Sequence, residues 1–408
     1  MDFPPSHGTN SPLLRTYREV LTRLEAEAPP SPEVHRAQCQ SLLQRLGPED
    51  SETVRVQFVH GTPGLLAAHT HYFDGFALLL AIAHGTAVAV RPSPDATSRL
   101  LLPSDETPWT LPSGAPVPPD WPLEVSLTFS VLRHFRPEQA VEVAVFSSVP
   151  AFAREVQLTT LAVALAQALE SPNASSEITS AKLRALAEVI ERCTGFPFSV
   201  AYLLAASVAR PRTFVLIDTA TLEHLELEGP APEVLRWLLI NAGCTLLPPP
   251  EHHRRQRALA QQIVEILQRR GFRELTSLRE LAYNDLPRAQ ALLPRRLHPV
   301  LRYLVSENHR VHHLVVAIRQ QDWQKLGSLL LMSHAALRHD WLASCAEADL
   351  IVEVAETMSL EGIFGASMNG YGNAVLVAGR PFQLPVYLER LKKTFEAQFG
   401  RAPEALLL

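Results

Sequence analysis

Residues His60 to Ile82 read HGTPGLLAAHTHYFDGFALLLAI. Gly61, Pro63 and Gly64 mark a turn, and two histidines, His69 and His71, precede an acid, Asp74. Just upstream, Val54, Val56 and Phe58 alternate with Arg55 and Gln57, the period-two pattern of a half-buried strand. Downstream, the apolar run Phe76 to Val90 is broken by His84, Gly85 and Thr86. It falls short of the ~20 residues that a spanning helix needs, so no membrane segment is expected.

The chain has 408 residues, 47% of them hydrophobic and 19% charged, which is the composition of a folded chain with two or three packed lobes. Lys plus Arg is 37 against 42 for Asp plus Glu, a formal charge of −5, which offers no basic excess for a nucleic-acid backbone. Cys39, Cys193, Cys244 and Cys345 lie far apart, with no C-x-x-C pair and no spacing that suggests zinc or a disulfide framework. A reducing cytoplasm is the expected compartment, because Met1 to Pro12 lacks the basic start and apolar stretch of a secretory signal.

Leu13 to Leu46 reads as one or two helices broken at Pro29, Pro30 and Pro32. The proline-rich segment from Pro92 to Pro122 is expected as an irregular loop or edge strands. Leu123, Val125 and Leu127 alternate with polar residues and predict another strand, and Val141 to Phe146 a third. Glu155 to Glu170, almost uncharged in its middle, predicts a helix buried on several sides. Lys182 to Cys193 is amphipathic, Thr213 to Ile217 is a short strand ending at Asp218, and Leu239 and Ile240 close another strand. Arg254 to Arg270 predicts a helix stopped by Gly271. Residues 296 to 362 read as mostly helical, and Asn373 to Val377 as a late strand. No fixed repeat occurs, and strands and helices are mixed without strict βαβ alternation, so the expected class is α+β in two lobes.

His60 to Ile82 resembles the first signature of galactokinases in the GHMP kinase superfamily, PGR-x-NLIGEHTDYN-GG followed by an apolar stretch. Further segments resemble the family's later signatures in the same order: SENHRV (Ser306 to Val311), LLLMSHAALRHDWLASCAEADLIVEVA (Leu329 to Ala355) and GIFGASMNGYGNAVLVAG (Gly362 to Gly379). Gly195 to Leu227 is similar to the G-x-PCGIMDQ and LLIDC-x-SLE region. The resemblance runs from about Arg18 to Arg380. It implies a GHMP-kinase-like fold: a tail at 1–17, an N-terminal-like lobe at 18–205, a C-terminal-like lobe at 206–408, and an active site in the cleft between the lobes. In active members of that family, MgATP phosphorylates a sugar hydroxyl.

The positions that would carry this chemistry are altered. Where the family has P-x-G-x-GLSSSAA, this chain has VPAFAREVQLTTLAVAL: Pro150 remains, Phe152, Ala153 and Arg154 stand at glycine positions, and Val156, Gln157 and Leu158 at serine positions. Glycines let a backbone close on phosphates and serines donate to them, so the cradle is not expected to survive. Arg154 is the one cation there that an anion could meet, while Glu155 adds a like charge. The catalytic Asp of MDQ falls on Tyr202, which cannot serve as a carboxylate base at neutral pH. The Arg of PGR falls on Leu65, in a stretch shortened before Ala68, so the transition-state cation is also missing.

In the sugar motif EHTDY both acidic residues are lost, with Ala68 and His71 in their places, while His69 and the aromatic Tyr72 remain. The family's sugar-contacting Tyr maps to Glu251, ahead of Arg254 and Arg255, and the loop GGGFGG contracts to Gly370, Tyr371, Gly372 and Asn373. His69 and His71 at i and i+2, with Asp74, could imitate a metal site from a strand; the plainer reading is a solvent-facing relic, and no metal is assigned. His252–His253 and His312–His313 are read in the same way. Ser333, His334, Arg338 and Asp340 keep a family pattern on a helix and are read as structural. Glu307, Asn308 and Arg310 are read as a charged turn or helix end that locks lobe geometry. Asp218 is expected to cap a turn, with a recruited catalytic role as the alternative.

Two functional readings follow. One is a pseudokinase that keeps the galactokinase fold as a sensor, scaffold or binding module, with an unknown small molecule or protein as its partner and no required cofactor. The other is a working galactokinase or related small-molecule kinase with a rebuilt site, using MgATP, with Asp218 or Glu251 as the acid–base group and Arg154 at the phosphates.

Overall fold

The computed structural model describes residues 30–47, 53–66, 69–170, 178–244, 249–369 and 374–408. The predicted N-terminal tail, Ala68, Pro248 and the segment Gly370 to Asn373 lie outside the described residues.

The first helix, α1 (Pro32–Gln44), has proline in its first turn and is capped by Ser31, whose side chain accepts from the Val34 amide. Pro32 thus starts a helix here. Next come β1 (Arg55–His60), β2 (Gly64–Leu66), a 3₁₀ turn (Thr70–Phe73), β3 (Phe76–Leu80), β4 (Gly85–Pro92), β5 (Thr97–Leu101) and β6 (Trp109–Pro112). β5 and β6 form a hairpin on the edge of a five-stranded sheet ordered β1, β4, then β7 (Val141–Ser147), β5 and β6. The proline-rich segment therefore extends this sheet. It also packs onto the following helix through Trp109, Trp121 and Phe129, whose neighbouring ring centroids are 5.5 and 5.2 Å apart.

That helix, α2 (Leu123–Phe135), overturns the strand predicted there. Three alternating residues are too few to set a period. Beyond them Thr128, Phe129, Val131 and Leu132 are all buried, which suits a helix covered on most of its circumference, entered from Pro122 and carrying Arg133 and His134 in its last turn. The buried helix predicted after Pro150 is α3 (Arg154–Ala168), and α4 (Ser180–Thr194) turns Leu183, Leu186, Val189 and Ile190 inward as its pattern requires. α5 (Val200–Val208) follows.

β8 (Thr213–Asp218) and β9 (His224–Glu228) come after residue 206 but complete an antiparallel sheet with β2 and β3, in the order β2, β3, β8, β9. β10 (Arg236–Asn241) belongs to a third sheet. The helices α6 (Pro250–Arg269), α7 (Leu286–Ala291), α8 (His298–Arg319), α9 (Trp323–Ala336) and α10 (Ala346–Thr357) precede its remaining strands. These are β11 (Ile363–Met368), β12 (Ala374–Gly379) and, after α11 (Leu384–Phe399), β13 (Glu404–Leu407), in the order β11, β12, β10, β13. The motif segment around Glu307 lies in the middle of α8, not at a helix end. α9 lies directly on β11, because a β-carbon on Gly327 would sit 1.8 Å from the Phe364 carbonyl oxygen. The architecture is α+β, and no described helix is long and apolar enough to cross a membrane.

The cysteines depart from expectation. Cys244, just beyond β10, and Cys345, at the amino end of α10, form a disulfide across 101 residues of sequence. Linear spacing cannot show this pairing, since it depends on sheet and helix meeting in space. Cys39, on the buried face of α1, donates its thiol to the Ala144 carbonyl at 3.1 Å, and burial pushes that thiol up to about 12.

Candidate functional site

The resemblance puts the phosphate loop at the turn into α3, where the Ala153 amide donates to the Pro150 carbonyl at 2.9 Å and no side chain caps the helix. Ala153 and Val156 are fully buried in one apolar cluster with Leu65, Val149 and Leu329, and Phe152 packs against it. Val156 fills the space over Gly61, where a β-carbon would lie 2.8 Å from its Cγ1. Arg154 points into solvent, Gln157 is half-buried, and Glu155 is buried in the first turn. An acidic residue thus stands in the first turn of α3, where a bound phosphate would meet the helix amino end. At the positions that the resemblance assigns to the phosphate loop, apolar side chains and a carboxylate stand in place of glycines and serines, a lining that does not suit a nucleoside triphosphate.

Tyr202, on α5, is 2% exposed and sits over Gly64, its hydroxyl 2.6 Å from the point where a β-carbon on that glycine would lie. The Asn369 Oδ1 lies 3.1 Å from the same point. Burial, reinforced by the neighbouring Glu155 and Tyr72, pushes the Tyr202 phenol far above its usual range. Among the described residues, the Tyr202 hydroxyl, the Thr62 hydroxyl and the side-chain amide of Asn369 have no hydrogen-bond partner, although all three residues are buried. Leu65, where the resemblance puts the family's Arg, is 3% exposed and belongs to the same apolar cluster.

The sugar-motif histidines do not lie on a strand. His69 precedes the 3₁₀ turn and is fully buried, contrary to the solvent-facing reading, while His71 is half-buried against Tyr72 at 4.2 Å. His69 stacks between His253 and Trp341, each at 5.1 Å between ring centroids, with Tyr72 at 5.8 Å and Tyr303 at 6.3 Å. Burial holds the His69 ring well below its ordinary pKa, with further depression from His253, and brings His253 down to about 4. This box draws on four separated segments, so no spacing in the sequence could announce it. His253 also departs from its solvent-facing reading: the helix expected from Arg254 begins at Pro250 as α6 and turns His253 inward.

The acidic candidates are engaged elsewhere. Asp218 accepts both Arg279 nitrogens at 2.7 and 2.6 Å and caps the following turn through the Ala220 amide at 2.9 Å, which together hold its carboxyl below the usual range. Glu251 is exposed in the first turn of α6 and pairs with Arg254 at 2.6 Å. Glu307 is fully buried and receives Arg310 at 2.6 Å and Ser333 at 2.8 Å, while Asn308 accepts the Phe76 amide at 2.9 Å, tying α8 to α9 and β3. His334 contacts Asp349 at 3.0 Å, Arg338 pairs with Asp349 at 3.0 Å, and Asp340 binds Arg302. Those contacts agree with the structural reading of the segment from Ser333 to Asp340.

No family model matches the chain. It is 27% identical over 323 residues to the galactokinase of Chloroflexus aggregans, covering 78% of this chain and 81% of that protein. Bos taurus galactokinase is 25% identical over 356 residues, 85% of this chain and 88% of its own length. Thermotoga maritima galactokinase is 31% identical over 192 residues, covering 46% of this chain and 50% of that protein. Among solved structures, Lactococcus lactis galactokinase complexed with galactose superposes with a TM-score of 0.77 at 18% identity, covering 91% of this chain and 96% of that one. Methanococcus jannaschii mevalonate kinase superposes with a TM-score of 0.54 at 12% identity, covering 88% and 98%. The chain is thus similar to galactokinases over most of its length and has the GHMP-kinase fold.

Proposed function

We propose that this chain keeps the galactokinase fold without its phosphoryl transfer, acting as a sensor, scaffold or binding module for a small molecule or a protein. One observation carries the reading: Leu65, Ala153 and Val156, at positions where the resemblance places the cation and the phosphate loop, belong to one buried apolar cluster. The burial of Tyr202 at the catalytic Asp position supports it, since a phenol held in its neutral form takes no proton from a hydroxyl. Its cytoplasmic compartment is part of the same proposal, and the net charge of −5 gives no support to nucleic acid as a partner.

The second reading, an active sugar kinase with a rebuilt site, is favoured by the continuous similarity to galactokinases over 78% of the chain. MgATP would then be its cofactor and Arg154 the exposed cation for phosphate. Its proposed bases are poorly suited, because Asp218 is held by Arg279 and Glu251 by Arg254. Calorimetric titration with MgATP, with and without galactose, followed by a coupled assay for ADP release, separates the two. No saturable heat and no turnover are expected; ATP-dependent phosphorylation of galactose or another hexose overturns the first reading.

A further inference from the structure

Beside the Cys244–Cys345 pair stands Glu347, and one ligand atom from each of the three residues lies within 4.8 Å of the others. Cys244 ends a turn that the rest of the molecule holds in place. Gly243 takes a φ of 58°, its amide donates to the Asn241 side chain at 2.8 Å, and Arg401 donates to the carbonyls of Ala242 (2.8 Å) and Gly243 (2.7 Å). Cys345 is the N-cap of α10, and Glu347 is buried in the first turn of that helix, 3.8 Å from Arg401. The two cysteine Cα atoms are 6.2 Å apart, within the disulfide range of about 4.4–6.8 Å. The same separation suits two thiolates on one cation, whose sulfurs would stand roughly 3.8 Å apart at bonds of about 2.3 Å.

We propose that in the dithiol state Cys244, Cys345 and Glu347 hold one thiophilic divalent cation of the zinc class, and that disulfide formation releases it. On binding, both thiols lose their protons, two metal–sulfur bonds and one metal–oxygen bond form, and solvent takes the remaining tetrahedral position. Two thiolates and a carboxylate bring three negative charges to one cation, and the Arg401 guanidinium and the amino end of α10 offset the excess. Release uses a low-molecular-weight disulfide as oxidant. One cysteine thiolate attacks it and expels a thiolate; the second cysteine attacks the resulting mixed disulfide, expels the other thiolate and closes the Cys244–Cys345 bond. The protein loses two electrons, the external disulfide gains them, and the cation leaves with its sulfur ligands consumed.

The full-length chain, reduced with a phosphine and kept anaerobic, is titrated with Co²⁺ and then with Zn²⁺ against a chromophoric chelator. A single equivalent of Co²⁺ with sulfur-to-cobalt charge-transfer absorption, displaced by Zn²⁺, is expected. Oxidised protein should show none, and glutathione disulfide should release the bound metal. Cys244→Ser and Cys345→Ser should each remove the absorption, Glu347→Gln should weaken binding about tenfold or more, and Cys39→Ser and Cys193→Ser should leave it unchanged. Absence of charge-transfer absorption in the reduced chain, or equal binding by reduced and oxidised chains, overturns the proposal. The comparison of the two redox states of the unmodified chain decides the matter even if a cysteine variant fails to fold.

Discussion

The Tyr202 hydroxyl lies over the backbone of Gly64, 2.6 Å from where a β-carbon would sit there, so α5 closes on β2 without a gap. Gly64→Ala should therefore destabilise the chain by roughly 1–3 kcal/mol, the range for overfilling a packed interior. Tyr202→Phe should recover part of that loss in the double variant and cost little by itself, since it removes a buried hydroxyl with no partner among the described residues. Urea unfolding of the four proteins checks this. A severe loss in Tyr202→Phe alone would mean that the hydroxyl holds something the protein needs.

Leu65→Arg restores the residue type that the resemblance places at this position, yet it should not restore a kinase. The guanidinium would enter a buried apolar cluster, and a loss of about 3 kcal/mol or more is expected from placing an unpaired charge there. If the variant keeps its thermal midpoint and gains MgATP binding, the site is open and the apolar packing argument fails.

Gly327→Ala should be among the most damaging single methyl additions, because the new carbon would meet the Phe364 carbonyl at 1.8 Å and force α9 off β11. Backbone cannot swing aside as a side chain does, so a loss of roughly 3 kcal/mol or failure to accumulate folded protein is expected. Near-unchanged stability would show that the helix and sheet are not in this contact.

Stability should decline on mild acidification because of the His69 and His253 pair. Both are held neutral in the folded chain, His253 with its pKa brought down to about 4, against about 6.5 when unfolded. Below about pH 6.5 the unfolded chain takes up protons that the folded chain refuses, so stability falls with pH, and the His253 share is complete near pH 4. That share is of order 3 kcal/mol. The groups that depress these rings are His252 for His253, and His253, His71 and His252 for His69, so no carboxylate among them opposes the trend. Denaturant midpoints between pH 7.5 and 4.5 should slope less steeply in His253→Gln than in the parent; identical slopes would remove His253 from the account.

Asp218→Asn tests whether that carboxylate is a strut or a base. Losing the forked contact with Arg279 should cost about 1–3 kcal/mol and should loosen both the turn after β8 and the turn before β3, where Arg279 also donates to the Asp74 carbonyl at 2.9 Å. A structural role lowers the thermal midpoint without touching ligand binding. Loss of a hexose-dependent ADP release with the midpoint unchanged would instead make Asp218 the acid–base group of an active enzyme.

Sequence alone determined whatever depends on near neighbours in the chain. The strands β1, β7 and β8, the helices α3 and α4, and the order of galactokinase-like segments are all written in local periodicity and local motifs, and the structure bears them out. Local pattern also misled where it was short: three alternating residues at Leu123 to Leu127 predicted a strand, and burial around most of the helix decided otherwise. Only the tertiary structure could decide the rest, because each remaining feature is a meeting of distant segments. His69 lies between His253 and Trp341, Asp218 is taken by Arg279, and Cys244 meets Cys345 across 101 residues. The substitutions at Leu65, Val156 and Tyr202 were visible as letters, but whether they leave a cavity or fill it is a question of packing volume. The folded chain answers it, with Val156 against Gly61 and Tyr202 against Gly64.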